Sequence, residues 1–127
     1  MIRVAIADDH QELRLALRLL LSMFKDIEVV CEAGNGQEAV ECVRQLQPDV
    51  LVMDIQMPVL DGFAATKQIT ELGVPTQVIL ISTYKGIVIA REAAAAGARG
   101  FVPKDHVAEW LHKAIEKVYQ GEVFFME

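Results

Sequence analysis

Asp8 and Asp9, Asp54, Ser82 and Thr83, and Lys104 each stand directly behind a short apolar run, and together they form a set able to handle a phosphoryl group. Three carboxylates brought to one place repel, and without a cation at least one of their pKa values rises. Oxygen-only ligands suit a hard divalent ion such as Mg²⁺, which keeps part of its water shell and shares a phosphoryl oxygen. An ammonium such as Lys104 adds fixed positive charge, and a small hydroxyl such as Ser82 adds an adaptable donor. These groups are what a phosphoryl group in transfer needs around its equatorial oxygens. A carboxylate held beside them can itself attack phosphorus and become an acyl phosphate. The members come from four separate stretches of chain, which a solvated charge run does not do.

The elements that must bring them together are legible in the hydropathy pattern. Five short runs rich in Val and Ile, Ile2 to Ala7, Ile27 to Ala33, Asp49 to Met53, Gln77 to Ser82 and Gly100 to Pro103, read as strands apolar on both faces. Helical spacing lies between and after them. Leu13, Ala16, Leu17, Leu20, Leu21 and Phe24 share one face, as do Val107, Trp110, Leu111, Ala114, Ile115 and Val118. Gln37 to Leu46 stops before Pro48, Phe63 to Leu72 follows Asp61 as N-cap and ends at Gly73, and the alanine-rich stretch from Gly86 to Ala96 closes at Gly97. Strands alternating with helices imply right-handed parallel crossovers, hence a doubly wound α/β sandwich. A flavodoxin-like five-stranded parallel sheet in the order 2-1-3-4-5 suits this count, and in such a fold ligands bind outside the carboxyl ends of the strands.

The chain has 127 residues, a net charge of −6 and 53% hydrophobic residues, values of one globular domain with a closed core. No apolar run reaches the ~18 residues of a membrane span, and the start lacks the pattern of a signal peptide. An acidic balance without a Lys/Arg-rich block argues against nucleic-acid binding by this chain alone. Cys31 and Cys42 are too few for a disulfide framework and lack metal-ligand spacing, and they read as reduced core thiols of a cytoplasmic protein.

The set Asp8-Asp9, Asp54-Ile55-Gln56-Met57-Pro58, Asp61-Gly62, Ser82-Thr83 and Lys104, with gaps of 28 residues from Asp54 to Ser82 and 22 from there to Lys104, resembles the receiver domain of bacterial two-component response regulators. The resemblance covers essentially the whole chain. The stretches Ala7 to His10 and Gly97 to Asp105 are most similar to the NarL/LuxR-type subfamily, whose members carry a helix-turn-helix DNA-binding domain after the receiver. The resemblance implies the following roles. Asp54 is the phosphoacceptor for a sensor histidine kinase, and Lys104 pairs with Asp54 and then with a phosphoryl oxygen. Asp9, Asp54 and the backbone carbonyl of Gln56 bind Mg²⁺, with Asp8 acting through a metal-bound water. Ser82 and Phe101 are the switch residues, and the positions of Gln56 and Tyr84 tune dephosphorylation. The output surface is the fourth helix, fifth strand and fifth helix, and a homodimer would form there or through the first and fifth helices. Residues 1–121 are then the receiver, and 122–127 begin a linker to an effector domain absent from this chain. DNA is reached, for transcription regulation, only through that domain. Asp105 follows Lys104 where many receivers have Pro, with Pro103 before it instead, and Phe101 lacks the hydroxyl of a Tyr, so its switch rests on packing.

Blander and rival readings stand beside these. An Asp-Asp pair after a strand is more often a helix N-terminus signal than a metal site; the company of Asp54 and Lys104 changes that. Asp61 and Gly62 read as cap and tight turn, His10, His106 and His112 as surface residues, Trp110 as core, and Ala93 to Ala96 as either sheet packing or a docking strip. A haloacid-dehalogenase-type phosphatase needs Asp-x-Asp where this chain has Asp8-Asp9-His10, and a cap domain for which there is no room. A flavin or nucleotide module needs a phosphate loop after the first strand, where Asp9 and Glu12 would repel the ligand. A pseudo-receiver would not keep the acidic set and Lys104 intact.

Overall fold

A computed structural model describes residues 1–127. Strands and helices alternate: β1 (Ile2–Ala7), α1 (Gln11–Ser22), β2 (Ile27–Ala33), α2 (Gly36–Leu46), β3 (Val50–Asp54), α3 (Gly62–Leu72), β4 (Gln77–Ser82), α4 (Ile87–Ala96), β5 (Gly100–Pro103), α5 (Val107–Tyr119) and β6 (Phe124–Phe125). A 3-10 turn over Lys104–His106 leads into α5. All strands are parallel, and the order β2-β1-β3-β4-β5 is the one read from the sequence, extended by β6 on the outer edge of β5.

Strands β3 and β5 are buried at every residue, as apolar runs between two helical layers should be. One core lies between the sheet and α2, α3 and α4, around Leu51, Met53, Ile69, Leu80 and Phe101. The other lies beneath α1 and α5, around Ile6, Leu21, Ile79, Leu111 and Ile115. Helix ends are fixed locally. The Asn35 side chain accepts from the Glu38 amide at the start of α2, and Asp61 accepts from the Ala64 amide at the start of α3. Gly73 and Gly97 close α3 and α4 in the left-handed region.

Several sequence expectations change here. Cys31 on β2 and Cys42 on α2 are brought together, with Cα atoms 6.6 Å apart, because α2 packs back over β2, a proximity that their spacing in the sequence did not announce. Trp110 lies at the rim of the molecule, 37% exposed, with its ring against Phe124 instead of in the core. Leu13 and Leu46 fall on the expected helix faces but remain exposed. Ala90, Ala93 and Ala96 pack inward, whereas Ala94 and Ala95 are exposed, so packing against the sheet accounts for only part of the alanine run of α4. The apolar tail, which had no evident place in the sequence pattern, forms β6.

Candidate functional site

Parallel register brings the strand ends into line. Ala7 pairs with Met53, Asp54 with Ile81 and Ser82 with Pro103, so Asp8, Asp54, Ser82 and Lys104 emerge along one carboxyl edge of the sheet. Asp8 and Ser82 are fully buried, and Asp54 is 3% exposed. The Lys104 ammonium lies between two carboxylates, donating to Asp8 Oδ2 at 3.1 Å and to Asp54 Oδ2 at 3.0 Å. Asp9 is exposed at the mouth of the site. Ligand atoms of Asp8, Asp9, His10 and Asp54 all lie within 4.8 Å of one another.

One local device recurs at three of these strand ends. The side chain accepts a hydrogen bond from the backbone amide two residues on: Asp8 from His10 at 2.9 Å, Asp54 from Gln56 at 3.2 Å, and Ser82 from Tyr84 at 3.0 Å. Short oxygen-bearing side chains make this turn readily, and it bends each chain away from its strand while fixing the oxygen at the sheet edge. The loop after Asp54 is held further by Gly62, whose amide donates to the Ile55 carbonyl at 2.7 Å. A Cβ at Gly62 would sit 2.6 Å from the Asp54 carbonyl oxygen, so glycine is required there by space; its φ is not left-handed, and it is not the tight-turn residue that the sequence suggested.

Burial is the largest influence on Asp54 and raises its pKa; Lys104 and the Gln56 amide oppose that, and Asp8 adds to it. Burial alone would lower the pKa of Lys104, but its hydrogen bonds to Asp54 and Asp8 outweigh it, and the ammonium is held charged. The edge thus contains more negative charge than one lysine balances. A set of clustered carboxylate oxygens short of positive charge fits a hard divalent cation. Asp54, Asp8 and Asp9 are placed to hold such an ion.

The remaining expected site residues lie elsewhere. Phe101 is wholly buried in β5, and Tyr84 and the Gln56 side chain are exposed on the loops that flank Asp54. Two residues near the site were not singled out in the sequence. His10 is exposed, as read, yet its Nδ1 lies 3.4 Å from Asp8 and 3.3 Å from Asp9. Arg14, one turn into α1, donates to the Asp8 carbonyl at 2.6 Å and turns its Nε toward Glu32 at 3.4 Å. Adjacency to Asp9 was the available signal for His10; Arg14 gave none beyond its place on the first turn. His112 is also not a free surface residue: it stacks on Phe24 and bonds Asp26 at 3.0 Å, far from this edge, pinning α5 to the turn before β2.

A sequence profile described as the response regulator receiver domain matches residues 4–116. The chain is 38% identical over 121 residues to transcriptional regulatory protein LnrK of Bacillus subtilis (strain 168), covering 95% of this chain and 55% of that protein. It is 41% identical over 119 residues to protein-glutamate methylesterase/protein-glutamine glutaminase 1 of Methanosarcina mazei, covering 92% of this chain and 33% of that protein. The chain thus spans only about half, or less, of the length of these relatives. Among solved structures it is similar to the signal receiver domain of the putative response regulator NarL from Mycobacterium tuberculosis, with a TM-score of 0.91 and 33% identity. That likeness covers 95% of this chain and 98% of the other.

Proposed function

The chain belongs to the response regulator receiver domain family, and from that premise we propose that Asp54 accepts a phosphoryl group from a partner histidine kinase and passes the change to an output surface. The observation that carries this reading is the buried Asp8–Lys104–Asp54 bridge at the carboxyl edge of the sheet. An Asp54 carboxylate oxygen attacks phosphorus in line as the bond from phosphorus to the kinase imidazole nitrogen breaks, and the neutral imidazole leaves. Lys104, already charged and already at the carboxylate, moves with the developing phosphoryl oxygens, so that little reorganisation is needed at the moment of transfer. Asp9, Asp54 and the Gln56 carbonyl would hold Mg²⁺, with Asp8 acting through water, and the ion would supply positive charge against the crowding of the carboxylates. The domain so acts as a signalling element that catalyses only its own phosphorylation and dephosphorylation, the latter tuned at Gln56 and Tyr84.

The new dianion competes for Lys104 and for the Ser82 hydroxyl, now turned to the Tyr84 amide. This biases the loop after β4 and the packing of Phe101, and through them the α4–β5–α5 face. Residues 1–121 are the receiver and 122–127 begin the linker to an effector. A cytoplasmic transcription regulator with a C-terminal helix-turn-helix domain is the output supported by the relationship to LnrK, and a homodimer through α4–β5–α5 or α1–α5 is its working form.

Intact-protein mass after incubation with a small-molecule acyl phosphate tests the chemistry. One phosphoryl adduct that requires Mg²⁺, is lost with chelator and is lost in Asp54→Asn is expected. An adduct that survives Asp54→Asn would move the nucleophile elsewhere.

A further inference from the structure

After α5 the backbone turns at Gly121, whose φ of 92° lies in the left-handed region, and runs back along the outer edge of β5. The Phe124 amide donates to the Arg99 carbonyl at 3.0 Å and the Met126 amide to the Phe101 carbonyl at 2.9 Å. Alternation along this strand sends Phe125 into the core on the α3–α4 side, and Phe124 and Met126 into the core on the α1–α5 side. Arg99 Nη2 holds the Gly121 carbonyl at 3.1 Å, and the Phe124 ring stands 6.3 Å from Trp110. Gly100 is part of the arrangement, because a Cβ there would meet the Phe124 carbonyl oxygen at 3.0 Å. The tail therefore occupies the edge of the face between α4 and α5.

Its hold is slight. A two-residue strand with partly buried side chains belongs to the least stable units of a fold. The edge it grips is also short. Phe101 accepts from the tail only three residues before Lys104, in a strand of four residues, and it is buried too completely to shift without moving what packs on it.

We propose that residues 122–126 form a strap across the β5 edge that phosphorylation of Asp54 loosens. The proposal rests on the phosphoacceptor reading above and adds how that site reaches the output face. A phosphoryl group on Asp54 draws Lys104 away from its place between Asp8 and Asp54, and draws Ser82, whose neighbour in the ladder is Pro103. Both pulls act on the carboxyl end of β5 and withdraw that strand from β6. The bond from the Met126 amide to Phe101 is the first to open, and release uncovers the β5 edge and the rings of Phe124 and Phe125. Linkage makes the effect reciprocal: a strap that phosphorylation loosens must oppose phosphorylation by the same factor.

Residue-resolved amide exchange on the whole chain, with and without beryllium fluoride and Mg²⁺ as a phosphoryl mimic, reads both ends of this coupling at once. Exchange at Phe124 and Met126 is expected to rise about tenfold with the mimic, within the usual range of coupling between sites, while Leu51 and Val52 in central β3 stay protected. Phe125→Ala, and independently Met126→Pro, which deletes the bond to Phe101, are expected to tighten the binding of beryllium fluoride by the same factor. If the mimic shifts the resonances of Asp54 to Gln56 but Phe124 and Met126 exchange no faster, the strap is overturned and the phosphoacceptor reading stands. If nothing near Asp54 responds to the mimic, both are overturned.

Discussion

Asp54 is a carboxylate that the fold holds at a cost. Its pKa is raised, chiefly by burial, so its ionised form is less stable in the folded chain than in the unfolded one. For a carboxyl group with a raised folded pKa, the unfavourable contribution is absent below the unfolded value of 3.8, grows as pH rises through the folded value, and is constant above it. Replacing Asp54 by Asn should therefore stabilise the domain at neutral pH by about 1 kcal/mol, raising Tm by ~4 °C at this chain length. The gain should fade as melts are repeated toward pH 3. A loss of stability at neutral pH would mean that the bridge to Lys104 outweighs desolvation. The same residue thus joins reactivity and strain: a divalent cation would supply the positive charge that the buried carboxylate lacks.

At the scale of elements, three strand ends bend away by the same two-residue turn, and the loop from Ile55 to Asp61 contains the least forgiving backbone. Val59 has a φ of 71°, a left-handed conformation that β-branched residues seldom adopt. Gly62 closes the loop directly against the carbonyl of Asp54. Gly62→Ala is expected to displace Asp54, lowering stability by about 2 kcal/mol and slowing adduct formation more than tenfold. Chemical denaturation together with the mass assay checks both. Full adduct yield at the usual rate in a destabilised variant would show that the loop can move without carrying Asp54 along.

For the molecule as a whole, one sheet separates two cores, so side chains in opposite layers do not share partners. Ile69 lies in the α2–α3–α4 layer and Ile115 in the α1–α5 layer. Alanine at either position should cost about 3 kcal/mol, and the double variant should lose the sum of the two within ~0.5 kcal/mol in a single cooperative transition. Urea denaturation measures all three. Two separate transitions would show that the layers fold as independent units. The single central sheet also explains how the edge that holds Asp54 and the distant β5–β6 edge can belong to one mechanical body: four residues of β5 connect Lys104 to the tail.

Much of this protein was legible in the linear chain, for local reasons. Strands without a polar face announced a parallel sheet covered on both sides, Asp61 and Gly73 marked the ends of α3, and acids and a lysine placed after apolar runs marked the carboxyl edge. What remained hidden depended on partners distant in sequence. Cys31 and Cys42 meet only because α2 lies over β2. His112 is held by Phe24 and Asp26 across 86 residues of chain to the latter. Arg14 reaches the site only because α1 begins at its rim. The tail, too short and too apolar to announce itself as a strand, found its place on a β5 edge that exists only once the sheet is assembled. Side-chain type and spacing determined which chemistry this chain could support; parallel register and burial decided which carboxylate became strained, and which segment came to cover the edge of β5.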